Sequence, residues 1–320
     1  MNKRWKVKFL FLFLILLFAV VLGLTRGAVN LSLSELFLKA NSYVLVLRSL
    51  RILTAIVVGM GLSVAGIALQ AILRNPLAEP YLLGTSSGAG LCAVLALVLG
   101  VSSVFIPLAA FIGAVLTMIL VYSLARQGSR IGAQSLILSG VIVSVALSAI
   151  IVFLISISTN EVLHGALWWL WGSMQAYDFK LLIAAGSIVV LGILAVFVLA
   201  QDLNAISLGE EEAVHLGIDS ESLKKILFFV TSLITAALVS ICGIIGFVGL
   251  IIPHIVRLLV GPNHRILIPS SCILGAAFMV FCDMLSRTLF APMEIPIGVI
   301  TAIIGAPIFI ILLKRKQSVK

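Results

Sequence analysis

DLNAISLGEEEAVHLGIDSESLKK, residues 202–225, is the longest strongly polar run in a chain of 320 residues that is 62% hydrophobic and 10% charged. Apolar stretches long enough to cross a bilayer flank it, so it reads as an elbow at one membrane face. Ser207 and Glu210 stand at S-x-x-E spacing, the pattern in which a serine caps a helix start while the glutamate reaches back to its amide. Glu211 and Glu212 add negative charge near the positive end of that helix, worth about 0.3–1 kcal/mol each when exposed. Gly217 is placed to close the helix in a left-handed cap, and Asp219 or Ser220 to open a second one. The pattern predicts a short helix, a glycine turn and a second helix start lying flat on the membrane. An ordinary solvated loop is the plain alternative.

Composition sets the frame around this elbow. A chain of this length holds about ten spans of ~20 residues with short connections, which predicts one polytopic, all-α membrane domain over residues 1–320. The net charge of +9 does not point to nucleic acid, because the basic residues are scattered among apolar segments instead of gathered in a patch. Cys92, Cys242, Cys272 and Cys282 lie within or beside apolar runs without a C-x-x-C pair, which reads as small buried hydrophobes rather than a disulfide framework or zinc site. The basic start Asn2-Lys3-Arg4-Trp5-Lys6 precedes apolar residues 9–24 with no clear cleavage pattern after them, so a retained first span is expected.

In chain order the predicted spans are 9–24, 52–73, 82–100, 105–125, 132–157 and 181–201, then 226–256 as one full and one partial span, then 266–287 and 297–313. Lys3, Arg4, Lys6 and Lys8 put the N-terminus in the cytoplasm by the positive-inside rule, and Lys314, Arg315, Lys316 and Lys320 do the same for the C-terminus. Under this topology Arg26, Lys39, Arg48, Arg51, Lys180 and Arg287 are outside, and the other 15 of the 21 basic residues are inside. Arg48 and Arg51, three apart just before the second span, are expected to share a helical face as cations on the outer surface. Segment 158–179, with Trp168, Trp169 and Trp171, predicts an interfacial helix. Ser135, Ser139, Ser144 and Ser148 either line a path or bond back to helix carbonyls. Two stretches predict broken helix: Arg74 to Pro80, with two prolines, and Gly243, Gly246 and Gly249 ahead of Pro253.

What the chain lacks constrains its mechanism. Asp283 is the one acid within the predicted spans, four residues before Arg287, and an i, i+4 ion pair accounts for it at about 0.2–0.5 kcal/mol if exposed. Proton-coupled carriers ordinarily need ionisable groups near the midplane. No G-x-x-x-x-G-K-[ST] is present, so the chain has no P-loop of its own. The four histidines, at 164, 215, 254 and 264, fall on different loops and ends without metal-ligand spacing. Energy is therefore expected from a partner, or the protein is a passive carrier or channel.

Several stretches, in order along nearly the whole chain, resemble the FecCD-type permeases of ABC importers for iron-siderophores, haem and vitamin B12. They are RNPLAEPYLLG from Arg74 followed by TSSGA, LGEEEAVHLG from Leu208, FVGLIIPHIVR from Phe247, GPNHR from Gly261 and EIPIGVITAIIGAP from Glu294. The resemblance implies a ten-span permease of the type II importer class. It also implies a second permease as homodimer or heterodimer partner, an extracytoplasmic binding protein, and two cytoplasmic ATPases that bind the ATP and Mg, with no cofactor in this chain. The setting implied is a bacterial or archaeal cytoplasmic membrane. By the same resemblance Ser207, Gly209, Glu210, Glu211, Glu212, Ala213, Leu216 and Gly217 couple to the ATPase. Asn75 and Leu77 match a cytoplasmic gate. Arg48, Arg51 and Arg287 receive carboxylates of the binding protein, although Arg287 is alternatively no more than the partner of Asp283. Iron(III)-siderophore is the first cargo implied, with vitamin B12 and haem behind it. The competing expectation is a secondary carrier or channel for a small solute.

Overall fold

The computed structural model describes residues 3–128, 130–174 and 178–317, and the regular elements among them are α-helices apart from three short 3-10 turns and a ribbon of two-residue strands. The helices in order are α1 (Lys3–Thr25), α2 (Leu33–Leu36), α3 (Ser42–Ile72), α4 (Thr85–Val98), α5 (Ile106–Ala125), α6 (Ala133–Ser156), α7 (Asn160–Leu170), α8 (Phe179–Val198), α9 (Ala200–Ile206), α10 (Glu210–His215), α11 (Ser220–Cys242), α12 (Val248–Val260), α13 (His264–Thr288) and α14 (Ile297–Gln317). Strands β1 (Arg126–Gln127) and β2 (Arg130–Ile131) pair antiparallel between α5 and α6, a feature the apolar patterning did not predict. Lys320 and the stretch 175–177 of the expected interfacial segment lie outside the described residues.

Among the described residues, seven helices are long and apolar enough to cross a membrane, and three shorter apolar helices cover Thr85–Val98, Val248–Val260 and Ile297–Ile311. The second predicted span begins ten residues earlier than expected: α3 starts at Ser42 and rises about 46 Å over its 31 residues at 1.5 Å each. The charge-free run after the elbow resolves into α11, a non-helical Gly243–Phe247 break, and α12.

Helices α3, α11 and α13 form the interior, with most of their apolar windows buried, whereas α1, α5, α6 and α8 keep most of theirs exposed for lipid or a partner. Among helices, hydrocarbon provides no hydrophobic drive to associate, so close van der Waals packing has to hold them. Glycine contacts make this possible on two sides of α3. A Cβ built on Gly66 would lie 1.9 Å from the Gly249 carbonyl oxygen of α12, and one on Gly59 would lie 2.1 Å from that of Gly275 in α13.

Two ends of the molecule are thereby fixed. At one, Lys8 of α1 donates to the Leu259 carbonyl, and the loop after α3 meets the elbow through Arg74 and Glu210. At the other, the end of α1 meets the first turns of α3 and the last turn of α13. We refer to them as the elbow end and the arginine end.

Gly66→Val is expected to force α3 from α12 and cost about 3 kcal/mol by overpacking. A thermal melt of the purified protein in detergent checks this, and an unchanged midpoint would show that the two backbones do not touch at this point.

Candidate functional site

At the elbow end, local rules set the shape and charge fixes it in place. Gly217, at φ 82°, closes α10 with the Ile218 N–H on the Ala213 carbonyl and its own N–H on Val214. Asp219, not Ser220, caps α11: its Oδ1 accepts from the amides of Glu221 and Ser222, each at 3.1 Å. The Ser222 hydroxyl, with those amides, holds the Asp219 carboxyl below the ordinary range. The start of α10 differs from the expected capping box. Ser207 ends α9, where its hydroxyl donates to the Leu203 carbonyl, and Gly209 is the N-cap residue of α10. With the serine so engaged, S-x-x-E here is spacing without the cap.

Glu210 does something other than reach back to Ser207. Its carboxylate meets Lys224 Nζ at 2.8 Å and Arg74 at 3.6 Å. Lys224, 6% exposed, also binds Glu221 at 2.8 Å, while Glu221 Oε2 accepts from the Ile131 N–H of the ribbon at 2.9 Å. One buried ammonium therefore ties the elbow to α11 and to the α5–α6 connection. Arg74 closes α3 in a left-handed cap, φ 47°, a position that ordinarily takes glycine. Asn75 and Leu77 follow it: the Asn75 side chain accepts from the Leu77 N–H at 2.9 Å, and Leu77 itself is exposed. A cavity of about 540 Å³ opens beside them, lined among others by Arg74, Ser207, Leu208, Arg257 and His264.

The loop after α3 continues inward and latches onto the α11–α12 break. Glu79 Oε1 accepts from the Phe247 N–H at 2.5 Å, and the Tyr81 hydroxyl accepts from the Ile245 N–H at 3.2 Å. Gln70 of α3 donates to the Gly249 carbonyl at 3.1 Å and accepts from Arg257 at 3.2 Å. Burial pushes the Glu79 carboxyl above its usual 4.5, against the opposing pull of the Phe247 amide. On its far side the break borders an apolar cavity of about 420 Å³ lined by Leu170, Trp171, Ile244, Gly246, Phe247, Gly298 and Ala302.

The arginine end holds the three arginines together, but not as surface cations. Arg48 and Arg287 are each 6% exposed. Arg48 donates to the carbonyls of Leu24 and Val29, and Arg287 to those of Gly23 and Arg26, so both cap the C-terminal end of α1. Asp283 sits between two of them, with Oδ2 2.9 Å from Arg287 Nε and Oδ1 2.9 Å from Arg51 Nη2. The expected Asp283–Arg287 pair is present, yet it is buried and shared. Arg51 Nη1 then reaches Glu294 at 2.8 Å.

Comparison with known proteins covers nearly the whole chain. The FecCD transport family matches residues 15–315. The chain belongs to that family. The cobalamin import system permease of Halobacterium salinarum is 41% identical over 83% of this chain and 72% of its own. The hemin transport system permease of Yersinia pestis is 34% identical, with 99% of each chain covered. A solved structure described as a metal-chelate type ABC transporter in an inward-facing conformation superposes with a TM-score of 0.87 at 35% identity, over 97% of this chain and 99% of that one.

Within the FecCD frame, the residues that sequence reasoning did not single out are Glu79, Tyr81, Gln70, Lys224, Glu221 and Glu294. Glu79 and Glu294 were within the quoted family stretches, and in a chain with 12 acids each carboxylate among apolar neighbours was a visible signal.

Glu79→Ala removes the acceptor of the Phe247 amide and is expected to cost about 1–3 kcal/mol. Glu79→Gln keeps an acceptor and removes the titration. Because the folded carboxyl titrates above 4.5, the stability it contributes is fully present below that value and is lost as pH rises through the folded one. Melts across this range should therefore fall with pH for the wild type relative to Glu79→Gln; parallel profiles would mean that the carboxylate is not buried.

Proposed function

We propose that this chain is the permease subunit of an ATP-driven importer that carries a metal chelate inward across the cytoplasmic membrane. The reading is carried by one observation: likeness to permeases named for hemin and cobalamin, end to end with the first, in a chain with no P-loop of its own. Iron(III)-siderophore is the cargo we favour, with vitamin B12 and haem next. The seven long and three shorter apolar helices then make ten spans of a type II importer, both termini cytoplasmic, with the elbow end inside and the arginine end outside.

Its partners are a second permease, two ATPases holding ATP and Mg, and an extracytoplasmic binding protein whose carboxylates approach Arg48, Arg51 and Arg287. The ATPase contacts residues 207–217 and displaces α10. Lys224 converts that displacement into movement of α11 and of the α5–α6 connection together, because it is bonded to all three. Arg74 passes the same movement to the Asn75–Leu77 gate through Glu210. The 420 Å³ cavity beside the break has no titratable group in its lining, which suits passage of a bulky chelate without tight binding. Bound carboxylates or imidazoles would hold a metal ion back; small apolar walls do not.

In proteoliposomes containing the full complex, Lys224→Met is expected to lower uptake per ATP hydrolysed by about tenfold, a coupling loss of ~1.4 kcal/mol, while hydrolysis persists. Unaltered stoichiometry would remove the elbow from the power stroke. Arg51→Gln is expected to weaken binding-protein affinity by about tenfold, read by surface plasmon resonance on nanodisc-held complex. Equal affinity would exclude the arginine end as the docking surface.

A further inference from the structure

We infer that Glu294 occupies, in the resting chain, the seat on Arg51 that a docking partner's carboxylate takes, so that docking proceeds by exchange of one carboxylate for another. The inference rests on the docking reading above and adds to it an internal competitor and a route inward.

The three arginines are not equivalent. Arg48 spends both terminal nitrogens on main-chain carbonyls, and Arg287 spends its fork on carbonyls and Asp283. Arg51 presents two edges to two different acids. Nε and Nη2 hold Asp283 Oδ1 at 3.1 and 2.9 Å, and Nη1 holds both Glu294 oxygens at 2.8 and 3.0 Å. Asp283, with its side chain 1% exposed and shared with Arg287, has nowhere to go. Glu294, with its side chain 30% exposed on the α13–α14 connection, does. Glu294 lines a cavity of about 330 Å³ whose wall also includes Arg48, Arg51 and Arg287.

Charge makes the exchange favourable only as a substitution. Three guanidinium groups face two carboxylates, so the cluster is near balance with Glu294 seated and gains a positive charge when Glu294 swings out. An incoming acid then restores the balance. While Glu294 stays, the competent state is a minor one and the partner's affinity is reduced by its fraction.

Departure of Glu294 also has a mechanical result. Its neighbour Ile295 is bound in both directions to Ser286 of α13, and the next residues seat the first turn of α14 on the carbonyls of Gly172 and Trp171. Ser173 in turn donates to the Cys242 carbonyl at the end of α11. A shift at residue 294 is therefore two short links from the Gly243–Phe247 break, which no docked protein would touch.

The test uses the full complex in nanodiscs with its binding protein. Glu294→Gln is expected to bind that protein about three- to tenfold tighter, with a steeper fall in affinity as salt rises, because the competitor is gone and the cluster is more positive. Equal or weaker binding by Glu294→Gln, in a complex where Arg51→Gln does weaken it, overturns the exchange and leaves docking intact. If neither variant alters affinity, docking at this end fails and takes the exchange with it. Hydrogen exchange on the wild-type complex gives a reading that no variant's folding can spoil. Amides of Ile295, Ile297 and Gly298, each bonded to a main-chain carbonyl, are expected to lose protection when the binding protein is added, and unchanged protection overturns the proposal.

Discussion

The Glu79 carboxylate on the Phe247 amide is the contact around which the rest of this protein is arranged. In lipid a broken helix is tolerated only where its freed backbone groups find partners inside the protein. This chain breaks after α3 and between α11 and α12, and the first break supplies what the second lacks. The loop after α3 brings the Glu79 carboxylate and the Tyr81 hydroxyl to two amides of the second break. Gln70, one turn before that loop, covers a carbonyl at the start of α12. The second interruption is held by the first, and together they form a non-helical seam through an otherwise helical body.

The same logic operates with formal charge at the arginine end. Asp283 would be prohibitively costly to bury by itself, and so would Arg51 and Arg287. Bound to one another, they become affordable, and the leftover guanidinium donors cap the end of α1. The cost of ionised groups is thus turned to fastening the first helix onto the core.

Much of this was legible in the sequence, for physical reasons that differ by element. Long apolar windows announced α1, α5, α6, α8 and α13 because length and hydropathy are one-dimensional properties. The glycine closure of α10 and the Asp219 start of α11 were legible because caps are local. The Ser207 cap was not, because α9 runs on to Ile206 and claims Ser207 for its own last turn before α10 can use it. The start of α3 at Ser42 was missed because Arg48 and Arg51 look like a boundary by composition, and only their distant partners at 24, 29, 283 and 294 make them helix interior. Glu79 and Glu294 share that difficulty: each is defined by partners far along the chain, which spacing does not encode.

Long-range ties of this kind also decide how motion can spread. Helices α3, α11 and α13 are packed through glycines at near-contact distances, so they have little room to slide and tend to move as bodies. The polar ties sit instead at their ends and at the seam between them. A push on α10 enters through Lys224 into α11, and a pull at residue 294 enters through α14 and Gly172 toward the other end of α11. Both routes meet at the Gly243–Phe247 break, whose hold on the chain is the Glu79 and Tyr81 pair. A rigid core with one weak seam has one place to yield, and movements entering from opposite ends would converge on it.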